Sequence, residues 1–245
     1  ILSIFFFITA ILYSSVGFGG GSTYLALMLI WDIPYYIFPI IALFCNIDYD
    51  CVIESINAST IYEVPLLMLE QKLDIVIAEK TGLQPLKSIN NKIWKKRLST
   101  LKSPKGHVVI AIIGKYIELQ DSYKSISESL IHASAFLNYE VKIKWIHSEN
   151  LNNKNTSDNL KDCNGAIIAP GFGGRGIEGK IIATKFIREN NIPFLGICLG
   201  MQVAVIEFFR NVCGNTDAHS TEINPATKYP VIDLMKGQED ITNKG

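Results

Sequence analysis

Two patterns of apolar and polar positions meet in this chain. From residue 1 to 17 (ILSIFFFITAILYSSVG) nearly every position is apolar. As a helix this stretch spans roughly 25 Å, slightly short of the ~30 Å hydrocarbon core of a bilayer. A glycine run follows (Gly17, Gly19, Gly20, Gly21 around Phe18), then a second apolar stretch from Tyr24 to about Ile47, broken by Asp32, Pro34 and Pro39. No basic residue precedes the apolar run and no small-residue cleavage site stands out, which argues against a secretory signal peptide. The pattern predicts a membrane-inserted helical segment over 1–40 in preference to a buried soluble hairpin. Glycine breaks between apolar helices are tolerated where neighbouring helices cover the backbone.

From Asp48 the chain reads as a soluble protein. Val52-Ile53-Glu54-Ser55 opens a helical pattern, and residues 59–65 introduce another around 66–73. Residues 85–106 hold seven basic residues, two prolines and no acid, the composition of a solvated linker with one short helix at 93–101. Regular alternation begins after that. Residues 108–113 form a continuous apolar run, as in a strand buried on both faces. Asp121 or Ser122 is placed to cap a helix whose apolar positions are Ile126, Leu130, Ala133 and Leu137. Residues 141–146 alternate apolar residues with lysine, an edge-strand pattern. Residues 166–169 read as a strand, 181–187 as helix, 193–197 as strand and 202–212 as helix. Strands alternating with helices predict an α/β fold with a parallel sheet and flanking helices. Ligands of such sheets bind beyond the carboxyl ends of the strands.

Charge and cysteine content narrow the function classes. Residues 1–47 carry no Lys or Arg and one acid, so all 23 basic and 22 of 23 acidic residues lie beyond them. That balance lacks the basic stripe of a nucleic-acid binder, and no such partner is expected. The five cysteines (Cys45, Cys51, Cys163, Cys198, Cys213) and four histidines show neither metal-ligand spacing nor a disulfide framework. Reduced thiols in a cytoplasmic setting, and no metal site, are the expectation.

The chemistry concentrates in two glycine-rich turns at expected strand ends. Residues 194–202 (FLGICLGMQ) have the G-x-nucleophile-x-G form of a strand-turn-helix elbow, with Cys198 where a serine hydrolase has Ser. Gly196 and Gly200 leave room for the turn, and the helix N-terminus favours a thiolate nucleophile. The next backbone N–H, on Leu199, then points where an oxyanion would form. A buried structural cysteine is the competing reading of the same residues. Upstream by 27 residues, Gly171 opens a loop with four glycines in six positions (GFGGRG, 171–176). A phosphate-binding loop is one reading of it, but the Lys-Ser/Thr ending of a P-loop is missing. A second oxyanion donor from Gly171 suits the neighbouring elbow better, and a flexible surface turn is the third alternative.

Several strings together carry a family resemblance. GICLGMQ (196–202), PGFGGRGIEGK (170–180), GKYIELQDSYKSI (114–126), KFIRENNIPFLG (185–196) and STEINPATKYPVIDLM (220–235) resemble the CTP synthase family. ALFCNI (42–47) through STIYEVP (59–65) is similar to the end of that family's amidoligase domain. The resemblance runs in one collinear order over about 205 residues. It implies a class I glutamine amidotransferase-like parallel sheet over 107–245, the end of an amidoligase domain over 41–89 and a linker over 90–106. It also implies an enzyme that makes CTP from UTP and ATP, with magnesium and with ammonia from L-glutamine. On that resemblance Cys198 forms a thioester with glutamine, Gly171 and Leu199 stabilise the oxyanion, and Gly171, Leu199, Gly200, Met201, Gln202 and Glu222 hold the glutamine. The complete family enzyme is a homotetramer. The loop departs from the family's commoner PGGFG, having APGFG with Pro170 in place of the first paired glycine.

Residues 1–40 resemble a different family, the sulfite exporter TauE/SafE membrane transporters, chiefly through VGFGGGSTYLALM (16–28). Two unrelated resemblances meeting at 42–47 lead to the expectation of an artificial junction there. Because the first residue is Ile1, a missing N-terminal stretch is also expected. In class I glutaminases a His and a Glu near the domain's end activate the cysteine. No His-x-Glu follows Cys198 in these 245 residues, and His219, the only later histidine, reads as a loop residue. The sequence therefore predicts a chain that is inactive alone and lacks the UTP- and ATP-binding half. The alternatives are a transporter fragment or another cysteine-elbow hydrolase.

Overall fold

The computed structural model describes residues 48–84 and 90–235, with Ile4, Phe5, Phe7, Ile8, Pro34, Ile37 and Gly237. The apolar segment of residues 1–40 and the junction at 42–47 fall almost wholly outside the described residues. No helix among the described residues is long and apolar enough to cross a membrane. The chain divides into two compact units at Asn91/Lys92.

In the first unit, α1 (Val64–Glu70) carries Pro65 in its first turn, where the missing N–H costs nothing. Helix α2 (Leu73–Thr81) ends on Gly82 at φ 69°, with Leu83 N–H donating back to the Ala78 carbonyl. Residues 52–55 are not helical as their pattern predicts. The Gln71 side-chain amide accepts from Glu54 N–H at 2.6 Å and donates to the Glu54 carbonyl at 3.0 Å. That pair substitutes for a strand partner and holds this backbone open.

The second unit opens with α3 (Lys92–Lys102), which matches the short helix expected over 93–101 within the basic stretch. Leu98 is buried, and α3 packs on the later helix α4 (Lys124–Leu137), so this basic helix is part of the fold. Four parallel strands follow: β1 (His107–Gly114), β2 (Glu140–His147), β3 (Gly165–Ile168) and β4 (Phe194–Gly196). Their order is β2-β1-β3-β4, which puts the lysine-alternating β2 at one edge. Alternate residues of β1 face opposite layers. Ala111 and Ile113 join a core with Ile168, Ala183 and Ile187, while Ile110 and Ile112 join one with Tyr123, Ile126, Leu130 and Trp145. Helix α4 supplies the second core, and α5 (Thr156–Leu160) and α6 (Ile177–Glu189) close the first.

Helix α7 (Leu199–Asn211) packs on α6 through Val203 and Ile206 against Ile177 and Ile181. A small parallel pair, β5 (Ala218–Ser220) and β6 (Tyr229–Ile232), lies beyond it. The α/β architecture with a parallel sheet and flanking helices is therefore as expected. Two local expectations change. Asp121 and Ser122 do not cap α4, because they lie in a tight turn (Gln120–Tyr123) in which the Asp121 carbonyl accepts from Lys124. Leu137 faces solvent, and Ser134 and Ala135 take the inner positions of the last turns.

Candidate active site

The carboxyl ends of the parallel strands bring the two glycine turns together. Ile168 of β3 is in register with Gly196 of β4, and Ile197 N–H continues the ladder to the Ile168 carbonyl at 3.1 Å. The chain after β3 (Ala169, Pro170, Gly171) and the chain after β4 (Ile197, Cys198) therefore leave neighbouring strands at one edge, about 5 Å apart at that point. Cys198 sits there at φ 53°, ψ −111°, immediately before α7, with an exposed side chain. A non-glycine residue in that region costs about 1–3 kcal/mol and persists only where its surroundings over-determine it.

The two elbow glycines supply that constraint. A Cβ on Gly196 would meet the Gly200 carbonyl carbon and oxygen at 2.6 Å, and one on Gly200 would meet the Ile168 carbonyl oxygen at 2.1 Å. Only with both side chains absent does the first turn of α7 seat against β3 and force Cys198 outward. The Cys198 carbonyl accepts from Met201 N–H at 3.0 Å and Gln202 N–H at 3.3 Å, so the helix starts directly beneath the sulfur. No described acceptor takes the N–H of Leu199, which leaves it and the positive end of α7 facing the thiol.

The Gly171 loop is built from buried groups beneath it. Gly171 has φ 135°, open only to glycine, and a Cβ there would come within 3.0 Å of Lys115 Cε. Lys115, just past β1, is 5% exposed and donates through Nζ to the Phe172 carbonyl. Lys180, one turn into α6, is fully buried and donates to the Ala169 carbonyl at 2.8 Å. Burial, then the nearby Lys115 charge, push Lys180 down to about 8, and the proximity of Cys198 opposes that shift. Tyr123 accepts from Lys115 N–H at 3.2 Å and reaches the Pro170 carbonyl at 3.5 Å, with burial raising its phenol.

The other expected site residues fall around this pair of turns. Leu199 and Gly200 are buried under the elbow, Met201 is exposed, and Gln202 is half-buried with its Oε1 lacking a protein donor. Glu222 is exposed, and its neighbour Ile223 packs on the α6–α7 core next to Gly174. His219 is not the loop residue expected. It lies in β5, 7% exposed, accepts from Ser220 N–H through Nδ1 and faces Glu178 at 3.9 Å. Burial and then Arg210 depress its ring, partly offset by Glu178 and Asp217. Arg210 lies near the opposite end of α7 from Cys198, about 18 Å along the axis, so His219 keeps company remote from the sulfur.

Sequence reasoning does not single out Lys115, Tyr123 or Lys180, although each lies in a segment that carries the family resemblance. The signal for Lys180 was there: it stands three residues after Ile177 and four before Thr184, on the inward stripe of α6.

Comparison with known proteins agrees with this fold. The glutamine amidotransferase class-I family model matches residues 118–242. CTP synthases of Flavobacterium johnsoniae and Clostridium beijerinckii are 54% and 52% identical over 205 residues, 84% of this chain. The chain spans 38% of the length of these curated relatives. Among solved structures, the glutaminase domain of Trypanosoma brucei CTP synthase with bound acivicin superposes with a TM-score of 0.50. It is 39% identical, and the match covers 53% of this chain and 50% of that one. None of these relatives is a membrane exporter, so the resemblance of residues 1–40 to that family finds no support here. The chain belongs to the class-I glutamine amidotransferase family.

Proposed function

We propose that this chain carries the glutamine-hydrolysing site of a CTP synthase, with Cys198 as nucleophile. The observation that carries the reading is the strained elbow that lifts Cys198 over a helix N-terminus beside the Gly171 loop. The Cys198 thiolate attacks the γ-amide carbon of L-glutamine, and negative charge gathers on the amide oxygen. The N–H groups of Leu199 and Gly171 take that charge. The leaving nitrogen takes a proton from water and departs as ammonia as the carbonyl re-forms, giving a thioester that water hydrolyses to glutamate and the free thiol. Gln202 and Glu222 hold the substrate, with the undonated Gln202 Oε1 accepting from it and the Glu222 carboxylate pairing with its α-ammonium. Gly200 and Met201 line the same turn.

In the whole enzyme the ammonia goes to UTP activated by ATP with magnesium, in a homotetramer. Those partners belong to the proposed full-length protein and fall on no residue assigned here. In this reading Cys198 works without a histidine base, since His219, the one histidine that follows it in these 245 residues, is engaged in β5. Ammonia release from glutamine is accordingly expected on the order of 10³–10⁵ below that of a complete site. The test is ammonia release by the purified chain beside Cys198→Ala. Turnover of several per second, lost in that variant, would contradict the assignment of a site without its base.

A further inference from the structure

We propose that Lys115, Tyr123 and Lys180 form a carbonyl clamp that sets the direction of the Gly171 N–H, as positioning residues that never meet the substrate. The clamp rests on the reading of Gly171 as an oxyanion donor and explains how that donor is aimed.

Three carbonyls of one short loop are held from the core side. Ala169 O receives Lys180 Nζ at 2.8 Å, Pro170 O faces Tyr123 Oη at 3.5 Å, and Phe172 O receives Lys115 Nζ. The three donors are 0%, 2% and 5% exposed, so they hold the loop from its buried side, while the Cys198 side chain is exposed. In a planar trans peptide the C=O and the following N–H point in opposite directions. Drawing the Pro170 carbonyl toward Tyr123 therefore turns the Gly171 N–H away from the core. Ala169 N–H is spent on the Ile113 carbonyl, and Pro170 has none. Gly171 N–H is thus the first in the loop left to a ligand, and no described acceptor takes it. Gly171 at φ 135° makes the arrangement accessible, but glycine is equally free to flip, so the loop needs an external hold. Two buried lysines spent on backbone carbonyls are costly unless they serve such a purpose. The raised Tyr123 phenol stays protonated, as a donor must.

The experiment compares two reactions of Cys198 in the full 245-residue chain. Acylation by the γ-p-nitrophenyl ester of glutamate forms a bond from sulfur to the γ-carbonyl carbon. The carbonyl π pair moves to oxygen, then returns as the bond to nitrophenolate breaks. Alkylation by iodoacetamide displaces iodide directly and forms no oxyanion. Tyr123→Phe and Lys180→Met are expected to slow acylation about 10–100-fold, below the 10²–10³ for deleting an oxyanion donor outright. The iodoacetamide rate of Tyr123→Phe should stay within about two-fold of the parent chain, and Lys180→Met, whose ammonium lies near Cys198, is read by how far its acylation loss exceeds its alkylation loss. Equal losses in both reactions, or no loss in either, would overturn the clamp. If Lys180→Met does not fold, Tyr123→Phe decides alone, because it removes one oxygen and keeps the ring stacked on Trp145. A parent chain acylated no faster by the glutamate ester than by one lacking the α-amino and α-carboxyl groups would overturn the glutaminase reading itself.

Discussion

The Cα of Gly200 lies so close to the Ile168 carbonyl that a Cβ would stand 2.1 Å from its oxygen. Both partners are backbone, so no side chain can yield, and the elbow geometry requires this methyl group to be missing, as it does at Gly196. Gly200→Ala is expected to destabilise the second unit by about 3 kcal/mol or more, at the severe end for a single substitution. Gly214→Ala is the comparison, since it has open space around it and only a positive φ of 79° to accommodate. Its cost should be about 1–2 kcal/mol. Urea unfolding of the two variants measures the contrast, and equal losses would contradict the close packing.

Glu207 is 1% exposed and is gripped in two-pronged fashion by Arg188, through Nε at 3.0 Å and a terminal nitrogen at 2.8 Å. Arg188→Met strands that carboxylate, at a cost of about 3 kcal/mol, the low end for a buried pair because Arg188 is itself a third exposed. Adding Glu207→Leu should recover most of the loss. A double variant less stable than Arg188→Met would show that Glu207 has another partner.

His219 gives the fold an acid-sensitive point. Its folded-state ring is held below 6.5, chiefly by burial, so the unfolded chain binds the proton first as pH falls. Stability from this residue is present above pH 6.5 and is lost as pH falls through its folded value. His219→Gln should flatten the loss of stability as pH falls below about 6.5. Melting temperatures of both chains across that window test this, and parallel curves would contradict it.

Lys180 acts at the other end of the scale. Its ammonium is held down at about 8 in the fold, against 10.5 in the unfolded chain, so unfolding takes up a proton between those values. Its contribution to stability therefore rises as pH increases through that window. Buried Cys163, with its thiol pushed up by burial, works in the opposite sense above pH 9. The difference between the parent chain and Lys180→Met isolates the lysine. The stability of the parent chain relative to Lys180→Met should rise from pH 7 to 10, and a constant difference would contradict a depressed Lys180.

The elbow was legible in the sequence because its determinants are local. The spacing of Gly196, Cys198 and Gly200 marks a strand-turn-helix within five residues, although Gly200 seats against Ile168, 32 positions earlier, and the apolar run of β1 announces a strand covered on both faces. What the sequence hid is long-range. Residues 52–55 look helical until Gln71, 17 positions later, takes up the Glu54 backbone. The basic stretch around Leu98 looks like a linker until α4 covers that leucine. Lys115 and Lys180 look like surface charges, and only the path of the loop above them shows where their protons go. His219 pairs with a helix 41 residues upstream in sequence, through Glu178, which no spacing rule connects to it.

Cys198 labelling tests the central claim most directly. The purified chain is treated with acivicin, the compound bound in the trypanosomal glutaminase domain, and the adduct is mapped by mass spectrometry. One adduct is expected, on Cys198 among the five cysteines, and excess L-glutamine should slow its formation while L-asparagine does not. Label spread over exposed Cys213 as well as Cys198, or a rate indifferent to glutamine, would contradict a glutamine site at this elbow.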